Sequence, residues 1–406
     1  MGAGRMSAEP WLTLVGIGED GVEGLPRGAR DALAQAALVV GGRRHLALAG
    51  PVAGETLAWT SPMADTYPVI LARRGAPVVV LASGDPYCYG VGGVLARQVP
   101  AAEIRCFPQP SAFALATARL GWAQQDCTLV SLCGRPLETL VPALRPGARI
   151  LALCADGATP GRVAALLLER GFGASAVTVL EAMGGPRERM RGAAAQDFAL
   201  ADVDPLNTLA IAVAGPGAPL ALVPGRPDAL FAHDGQITRA DVRAATLARL
   251  APRPGEVLWD VGAGSGSVAI EWMLAHPANR AHAVERHPAR AARIRGNALA
   301  LGVPDLAVVE GAAPGALAEL PRPDAVFVGG GATGEGVLEA CAAALRPGGR
   351  LVVSAVTLET QALLVAWFRR EGGRLSTQAT AEADPVGAFH GWRPAMPVTH
   401  WSWVKP

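Results

Sequence analysis

The chain has 406 residues, and half of them are hydrophobic, so it can form two or three domains with sizeable cores. Its formal net charge of +1 gives no reason to expect nucleic acid or an anionic membrane as a partner, and no leader-like start or apolar run of about 20 residues predicts a signal peptide or a membrane span. Six scattered cysteines without a C-x-x-C pair predict a reduced, cytoplasmic protein without disulfides or a metal site.

The first half alternates short β-type runs with alanine-rich helical stretches, which is typical of an α/β domain. Strands are predicted at residues 11–15, 37–40, 78–82, 129–132, 150–153, 177–180 and 208–213. Helices are predicted at residues 28–35, 90–97, 111–120 and 161–170. A proline- and glycine-rich stretch follows, so the predicted organisation is a domain at 10–214, a linker at 215–232 and a domain at 233–406.

Three motifs in this half each follow a predicted strand. Gly16 begins a G-x-G turn, Arg43 and Arg44 precede His45, and the third motif reads Ser83-Gly84-Asp85-Pro86. Because the carboxyl ends of parallel strands meet at one edge of a sheet, these motifs are expected to face one cleft.

These motifs, with Ser111, Leu132-Cys133-Gly134-Arg135 and Leu206-Asn207, resemble the tetrapyrrole methylases (class III), and in particular the C5-methylating component of corrin biosynthesis. The resemblance covers residues 10–213 and implies a two-lobed fold. It also implies an S-adenosylmethionine site formed by Gly16, Ser83, Gly84, Asp85, Ser111 and Leu132. Cys133 stands where relatives usually have histidine, which leaves His45 as the candidate for any acid–base role.

In the second half the alternation becomes more regular and predicts a doubly wound parallel sheet. Helices are predicted at 239–250, 268–274, 289–301 and near 337–345. Strands are predicted at 257–261, 281–284, 307–309, 325–328 and 350–356.

The strongest motif of the whole chain follows the first of these strands. Asp260 and Val261 lead into Gly262-Ala263-Gly264-Ser265-Gly266, and Glu285 ends the next strand about twenty residues later, where an acid can bind ribose hydroxyls. The spacing of the glycines differs from the dinucleotide-binding fingerprint G-x-G-x-x-G, so the ligand need not contain a pyrophosphate. Upstream, Thr238 and Asp241 have the spacing of a helix capping box.

This loop, together with H-D-G-Q-I-T, P-D-A-V-F-V-G-G-G and V-T-L-E-T, resembles the Rossmann-like (class I) methyltransferases, specifically the C15-methylating, decarboxylating component of corrin biosynthesis. The resemblance implies that Thr238, Gly262, Ala263, Gly264, Ser265, Gly266 and Glu285 line a second S-adenosylmethionine site. Ala312 stands where the family often has an acid that could contact adenine, so backbone groups are expected to replace it there.

The two resemblances together imply methyl transfers to C5 and C15 of a corrinoid ring, loss of carbon dioxide from the ring C acetate, precorrin-8 as product, and a homo-oligomer. Catalytic residues are not identified, and a carboxylate-rich substrate suggests arginine ligands, with candidates Arg43, Arg44, Arg135, Arg239 and Arg243. Two alternatives stay open: a non-catalytic tetrapyrrole carrier, and a class I methyltransferase of RNA or protein with an accessory first half. Near-neutral charge weighs against RNA.

Overall fold

The structure is a computed structural model and describes residues 10–406. The chain divides into two compact units. The second unit contains Glu138–Leu144 and Pro219–Pro406, and the first contains the other described residues.

The first unit has two five-stranded sheets. In the first sheet all strands are parallel, in the order β3-β2-β4-β1-β5, with β1 (Leu12–Ile17), β2 (Leu38–Gly41), β3 (Glu55–Ala58), β4 (Val78–Ser83) and β5 (Ile104–Phe107). The second sheet is mixed, in the order β6-β7-β10-β8-β9, with β6 (Cys127–Ser131), β7 (Arg149–Leu153), β8 (Ala176–Glu181), β9 (Arg189–Ala194) and β10 (Asn207–Ala212). Only β6 and β7 pair in parallel there. Two sheets in one unit agree with the predicted two-lobed fold.

Helices connect these strands: α1 (Arg27–Gln35), α2 (Arg43–Ala49), α3 (Tyr67–Leu71), α4 (Gly92–Leu95), α5 (Ala112–Leu120) and α6 (Thr159–Glu169). Strand β4 reads V-V-V-L-A-S, and its first five residues are buried. Such a continuous apolar run is typical of a parallel strand that is covered on both faces. Separate apolar clusters accordingly cover the two faces of the first sheet.

The second unit is built on one seven-stranded sheet in the order β13-β12-β11-β14-β15-β19-β16. Its elements in chain order are α7 (Ala240–Leu250), β11 (Val257–Val261), α8 (Ser267–Ala275), β12 (Arg280–Glu285), α9 (Pro288–Ala300), β13 (Ala307–Glu310), β14 (Ala325–Val328), α10 (Val337–Ala344), β15 (Arg350–Ala355), α11 (Leu358–Glu371), β16 (Arg374–Gln378), β17 (Ala381–Val386), β18 (Phe389–Pro394) and β19 (Val398–Val404). The doubly wound sheet is confirmed, with β19 antiparallel to both of its neighbours. Strands β17 and β18 form a separate hairpin.

The segment predicted as a linker, residues 215–232, is not a free connector. Gly217 donates its backbone N–H to the carbonyl of Gly171 (3.0 Å) in the first unit. In the second unit, Arg226 and Phe231 are buried, at 4% and 3% exposure. The prediction relied on proline and glycine content, which marks irregular backbone but does not measure packing. No helix among residues 10–406 is long and apolar enough to cross a membrane.

Candidate functional site

The glycine loop of the second unit is a tight turn at the carboxyl end of β11. Gly262, Gly264 and Gly266 all have positive φ, at +68°, +61° and +75°, a region that other residues rarely adopt. The backbone N–H groups of Gly262 and Ala263 both donate to the carbonyl of Val284, at 3.0 and 3.1 Å. The turn is therefore fixed to the end of the adjacent strand β12.

Three other segments pack so closely on this loop that side chains are excluded. A Cβ on Gly262 would lie 2.5 Å from the carbonyl oxygen of Gly330, and one on Gly264 would lie 3.0 Å from that of Gln236. A Cβ on Gly266 would lie 2.6 Å from the Ile294 side chain on α9. The glycines thus allow the loops after β11 and β14 and the segment before α7 to converge at one edge of the sheet.

Two acids lie beneath this loop. Glu285, at the end of β12, accepts from the backbone N–H of Gly264 (2.9 Å) and of His287 (3.0 Å). Asp260, fully enclosed at the end of β11, accepts from the backbone N–H of Ala269 (3.0 Å). Burial, with a smaller contribution from the charge of Glu285, raises the pKa of Asp260 to about 7. Asp260 was not among the predicted ligands, although it stands only two residues before Gly262.

The loop leaves two buried polar atoms without a hydrogen-bond partner among residues 10–406: Oδ1 of Asp260 and Oγ of Ser265. Buried polar atoms are normally satisfied. Both can accept hydrogen bonds, and S-adenosylmethionine carries an ammonium group and hydroxyls that donate them. The residues of this edge therefore fit that cofactor.

Two predictions for Thr238 and the helix that follows it, α7, are wrong. The N-cap of α7 is Arg239, and no side chain caps the helix, so Thr238 and Asp241 form no capping box. Arg243 is fully buried, so it is not available as a substrate ligand. Its guanidinium donates hydrogen bonds to Glu271 (2.8 Å), to Asp228 (3.1 Å) and to the carbonyls of Thr238 (2.5 Å) and Arg226.

The remaining predicted residues of this unit lie around the same edge. Arg239 is exposed and contacts Asp228 at 3.4 Å. Ala312 is exposed in the loop after β13, and its carbonyl accepts from the backbone N–H of Ala316 (3.0 Å).

In the first unit the predicted motif loops also meet at one sheet edge. A Cβ on Gly16, in β1, would overlap the carbonyl oxygen of Gly84, and one on Gly84 (φ +53°) would lie 2.6 Å from the carbonyl oxygen of Pro110. Ser111 caps α5 by accepting from the backbone N–H of Ala114 (3.2 Å). These glycines, too, permit contact between backbones, here between β1, the loop after β4 and the start of α5.

A polar network joins three of these loops. Ser83 contacts Arg44 (2.6 Å) and Nε2 of His45 (2.8 Å), and Arg44 pairs with Glu19 in the loop after β1. Glu19 also pairs with Arg187 (3.2 Å), from the loop between β8 and β9. Arg187 was missed by sequence reasoning because it is 168 positions from Glu19.

The other predicted residues of this unit occupy varied environments. Asp85 accepts from the backbone N–H of Tyr87 (2.8 Å), and Leu132 is buried, its N–H donating to the carbonyl of Leu153 (2.9 Å). Arg43 and Arg135 are exposed, as a ligand for a soluble anion must be. Cys133 is also exposed, and its thiol contacts the carbonyl of Cys154 (3.3 Å).

Comparisons with known proteins identify both halves. A family model described as Tetrapyrrole (Corrin/Porphyrin) Methylases matches residues 11–199, and one described as Precorrin methyltransferase domain matches residues 229–405. The precorrin-6Y C5,15-methyltransferase (decarboxylating) of a Sinorhizobium species is 56% identical over 399 residues, which cover 98% of this chain and 97% of that protein. The chain belongs to the precorrin-6Y C5,15-methyltransferase (decarboxylating) family. The predicted activity, an S-adenosylmethionine-dependent methylation in cobalamin biosynthesis, is confirmed.

Two shorter relatives of this chain carry single activities in their names. A Pyrobaculum calidifontis protein, "Probable cobalt-precorrin-6B C(15)-methyltransferase (decarboxylating)", is 40% identical over 141 residues, covering 34% of this chain and 72% of its own. The cobalt-precorrin-7 C5-methyltransferase of Salmonella typhimurium is 32% identical over 180 residues, covering 44% of this chain and 88% of its own.

Glu285 offers a direct test of whether the second unit binds S-adenosylmethionine at its glycine loop. We expect Glu285→Ala to weaken S-adenosylmethionine binding there by about 1–3 kcal/mol, the usual contribution of a hydrogen bond to a charged group. The matched control is Glu310→Ala, because Glu310 is the register partner of Glu285 on β13 and instead pairs with Arg295 at the surface. Isothermal titration calorimetry should show one weakened site for Glu285→Ala and none for the control; unchanged binding would remove Glu285 from the site.

His45 is predicted to remain neutral at physiological pH. Burial, with a smaller contribution from the Arg44 charge, lowers the pKa of His45 to about 4. The pKa of His45 is about 6.5 in the unfolded chain and lower in the folded chain. The unfolded chain therefore takes up the proton first, and the free energy of unfolding decreases as the pH falls from 6.5 towards 4. Acidification should therefore lower the free energy of unfolding by about 2–3 kcal/mol less in His45→Gln than in the wild type. Urea unfolding at pH 7 and 4.5 measures it, with the exposed His390 replaced by glutamine as control; identical acid sensitivity in both variants would contradict the assignment.

Proposed function

We propose that this chain methylates precorrin-6Y at two separate S-adenosylmethionine sites, one in each unit. The observation that carries the proposal is the presence of two different loop arrangements, one at Gly16, Gly84 and Ser111 and the other at residues 262–266. Each arrangement belongs to its own unit and its own sheet, which supports one cofactor site in each unit.

We assign C5 methylation to the first unit, and C15 methylation with loss of carbon dioxide from the ring C acetate to the second, so that the product is precorrin-8. The single-activity relatives support this division, because one is named for C5 methylation and the other for decarboxylating C15 methylation. The match of a precorrin methyltransferase model to residues 229–405 agrees with it. We place the boundary between the corresponding domains after residue 218, since Arg226 and Phe231 are buried in the second unit.

When bound, S-adenosylmethionine supplies an electrophilic methyl group. The meso carbon of a conjugated corrinoid is already nucleophilic, so the chief task of the protein is alignment, an effect of up to ~7–11 kcal/mol. Gly262 and Gly264 fix the turn of the loop, and Asp260 and Glu285 offer carboxylate oxygens from below it. Both acids are engaged with backbone N–H groups, which suits a role in binding and orientation.

In the first unit we propose that arginines bind the carboxylates of the substrate. Arg44 and Arg187 are both paired with Glu19 and keep 33% and 58% of their side chains exposed. Arg187 pairs in addition with Asp204, so Glu19 and Asp204 together orient two guanidinium groups that can bind a carboxylate. Arg43, Arg135 and, in the second unit, Arg239 remain further candidates.

We also infer a homo-oligomer. The hairpin of β17 and β18 exposes Val386, Phe389 and Trp392 at 63%, 79% and 77%, and a cluster of large exposed apolar side chains favours protein–protein contact. Light scattering on the purified chain would measure a multiple of the 41.6 kDa mass; a monomer at micromolar concentration would contradict this.

The proposed reaction is tested by mass spectrometry of the product formed from precorrin-6Y and methyl-labelled S-adenosylmethionine. The expected product contains two labelled methyl groups and lacks one carboxyl group. A product with one labelled methyl group, or with all carboxyl groups retained, would contradict the proposal.

A further inference from the structure

A cavity of about 420 Å³ lies at the edge of the second-unit sheet opposite to the glycine loop. Its lining includes Arg249 near the end of α7, Arg350 at the start of β15, Arg374 at the start of β16, and Trp403 on β19. Arg350 begins strand β15, whereas residues 262–266 follow the end of strand β11, and both strands run in the same direction. The cavity is therefore separated from the cofactor loop by the length of the sheet.

Three arginines, Arg249, Arg350 and Arg374, line this cavity, together with one acid, Glu371. Glu256 pairs with Arg350 (2.5 Å), and Glu371 pairs with Arg370 (2.8 Å). Within residues 10–406, Arg249 and Arg374 form no salt bridge. Arg374 is exposed and can move towards a ligand.

Arg249 itself is incompletely satisfied. Its guanidinium donates to the carbonyl of Ala245 (2.8 Å) and to Oγ of Ser376 (3.1 Å), while its buried Nε has no acceptor among the described residues. Burial and, to a smaller extent, the Arg374 charge lower the pKa of Arg249. Two positively charged side chains, Arg249 and Arg374, therefore lie near each other, and Arg249 has an N–H group without an acceptor among the described residues.

We propose that this cavity binds a compact small-molecule polyanion. A guanidinium matches phosphate and carboxylate oxygens in bidentate geometry. Two unpaired arginines around one cavity call for at least two negative charges on one ligand. The volume accommodates a diphosphate or a tricarboxylate, and Trp403 supplies an apolar wall. The site lies outside both proposed cofactor sites, so it does not depend on the proposed reaction.

The test uses the full-length chain at fixed ionic strength, with inorganic pyrophosphate, citrate and acetate as separate probes in calorimetry and thermal unfolding. We expect saturable binding and a raised melting temperature with pyrophosphate or citrate, and no saturation with the monoanion acetate. The polyanion that binds more tightly identifies phosphate or carboxylate chemistry as the physiological class.

The deciding variant is Arg374→Gln, whose exposed side chain makes a folding defect avoidable, with Arg369→Gln as the matched control on the exposed surface of α11. Arg374→Gln should weaken polyanion binding at least tenfold, and Arg369→Gln should not change it. Gly264→Val should retain polyanion binding, which separates this site from the cofactor loop. Equal weakening in both arginine variants, or no saturable binding of either polyanion to the wild type, would overturn the proposal.

Discussion

Replacing Gly264 with valine is expected to abolish C15 methylation and decarboxylation while C5 methylation continues. Gly264 has a φ of +61°, and a Cβ there would lie 3.0 Å from the carbonyl oxygen of Gln236. A branched side chain must therefore displace either the loop or the segment before α7. Its backbone N–H would also leave Glu285, which accepts from it at 2.9 Å. We expect at least a 100-fold loss of the second-unit activity, as is common when a reacting geometry is displaced by about 1 Å.

The control for this variant is Gly255→Val. Gly255 precedes the opposite end of β11 and has a φ of +82°, but nothing lies within 4 Å of a Cβ built on it. The Gly255→Val substitution therefore introduces similar backbone strain away from the cofactor loop. Product mass spectrometry should show only C5 methylation for Gly264→Val and both methylations for Gly255→Val. Loss of C5 methylation in a folded Gly264→Val protein would show that the two sites are not independent.

A fragment with the continuous part of the second unit, residues 219–406, should fold, whereas a fragment that begins at residue 233 should fail to fold. The shorter fragment lacks Arg226, Asp228 and Phe231. Glu271 is buried and accepts from the backbone N–H of Arg226 (2.9 Å) and from Arg243 (2.8 Å). Removing partners from such a buried charge network destabilises a protein by about 3–5 kcal/mol, a large part of the stability of a typical domain.

The comparison of the two fragments separates folding from catalysis. Circular dichroism and thermal unfolding should show a cooperative transition for residues 219–406 and none for residues 233–406. The longer fragment should also methylate C15 and release carbon dioxide. Equal stability of the two fragments would mean that residues 219–232 are dispensable, and carbon dioxide release by residues 1–218 would reverse the assignment of decarboxylation.

Much of the fold was predictable because buried parallel strands read as apolar runs followed by glycine or polar motifs. The missed strands lack that pattern. Strand β3 (E-T-L-A) and β9 (R-M-R-G-A-A) are only partly buried, so their side chains show neither a continuous apolar run nor a clear alternation. The C-terminal strands β16–β19 were missed as well, and β17 and β18 are largely exposed.

The candidate site was predictable where its residues are adjacent in sequence and not where they meet through folding. Gly262 and Gly264 could be identified from the glycine-rich loop after a predicted strand, and Glu285 from its position at the end of the next strand, about twenty residues later. The pairing of Arg187 with Glu19 has no local signature. Arg243 resembled a surface charge on a helix of mixed composition, and only the fold shows that Glu271 and the carbonyl of Thr238 enclose it.

The stoichiometry of S-adenosylmethionine binding tests the central claim most directly. Equilibrium dialysis with labelled cofactor should give two sites per wild-type chain, one for Gly264→Val, and one for Gly84→Val, in which a Cβ would lie 2.6 Å from the carbonyl oxygen of Pro110. The double variant should bind none. A single site per fully active wild-type chain would contradict the assignment of one cofactor site to each unit.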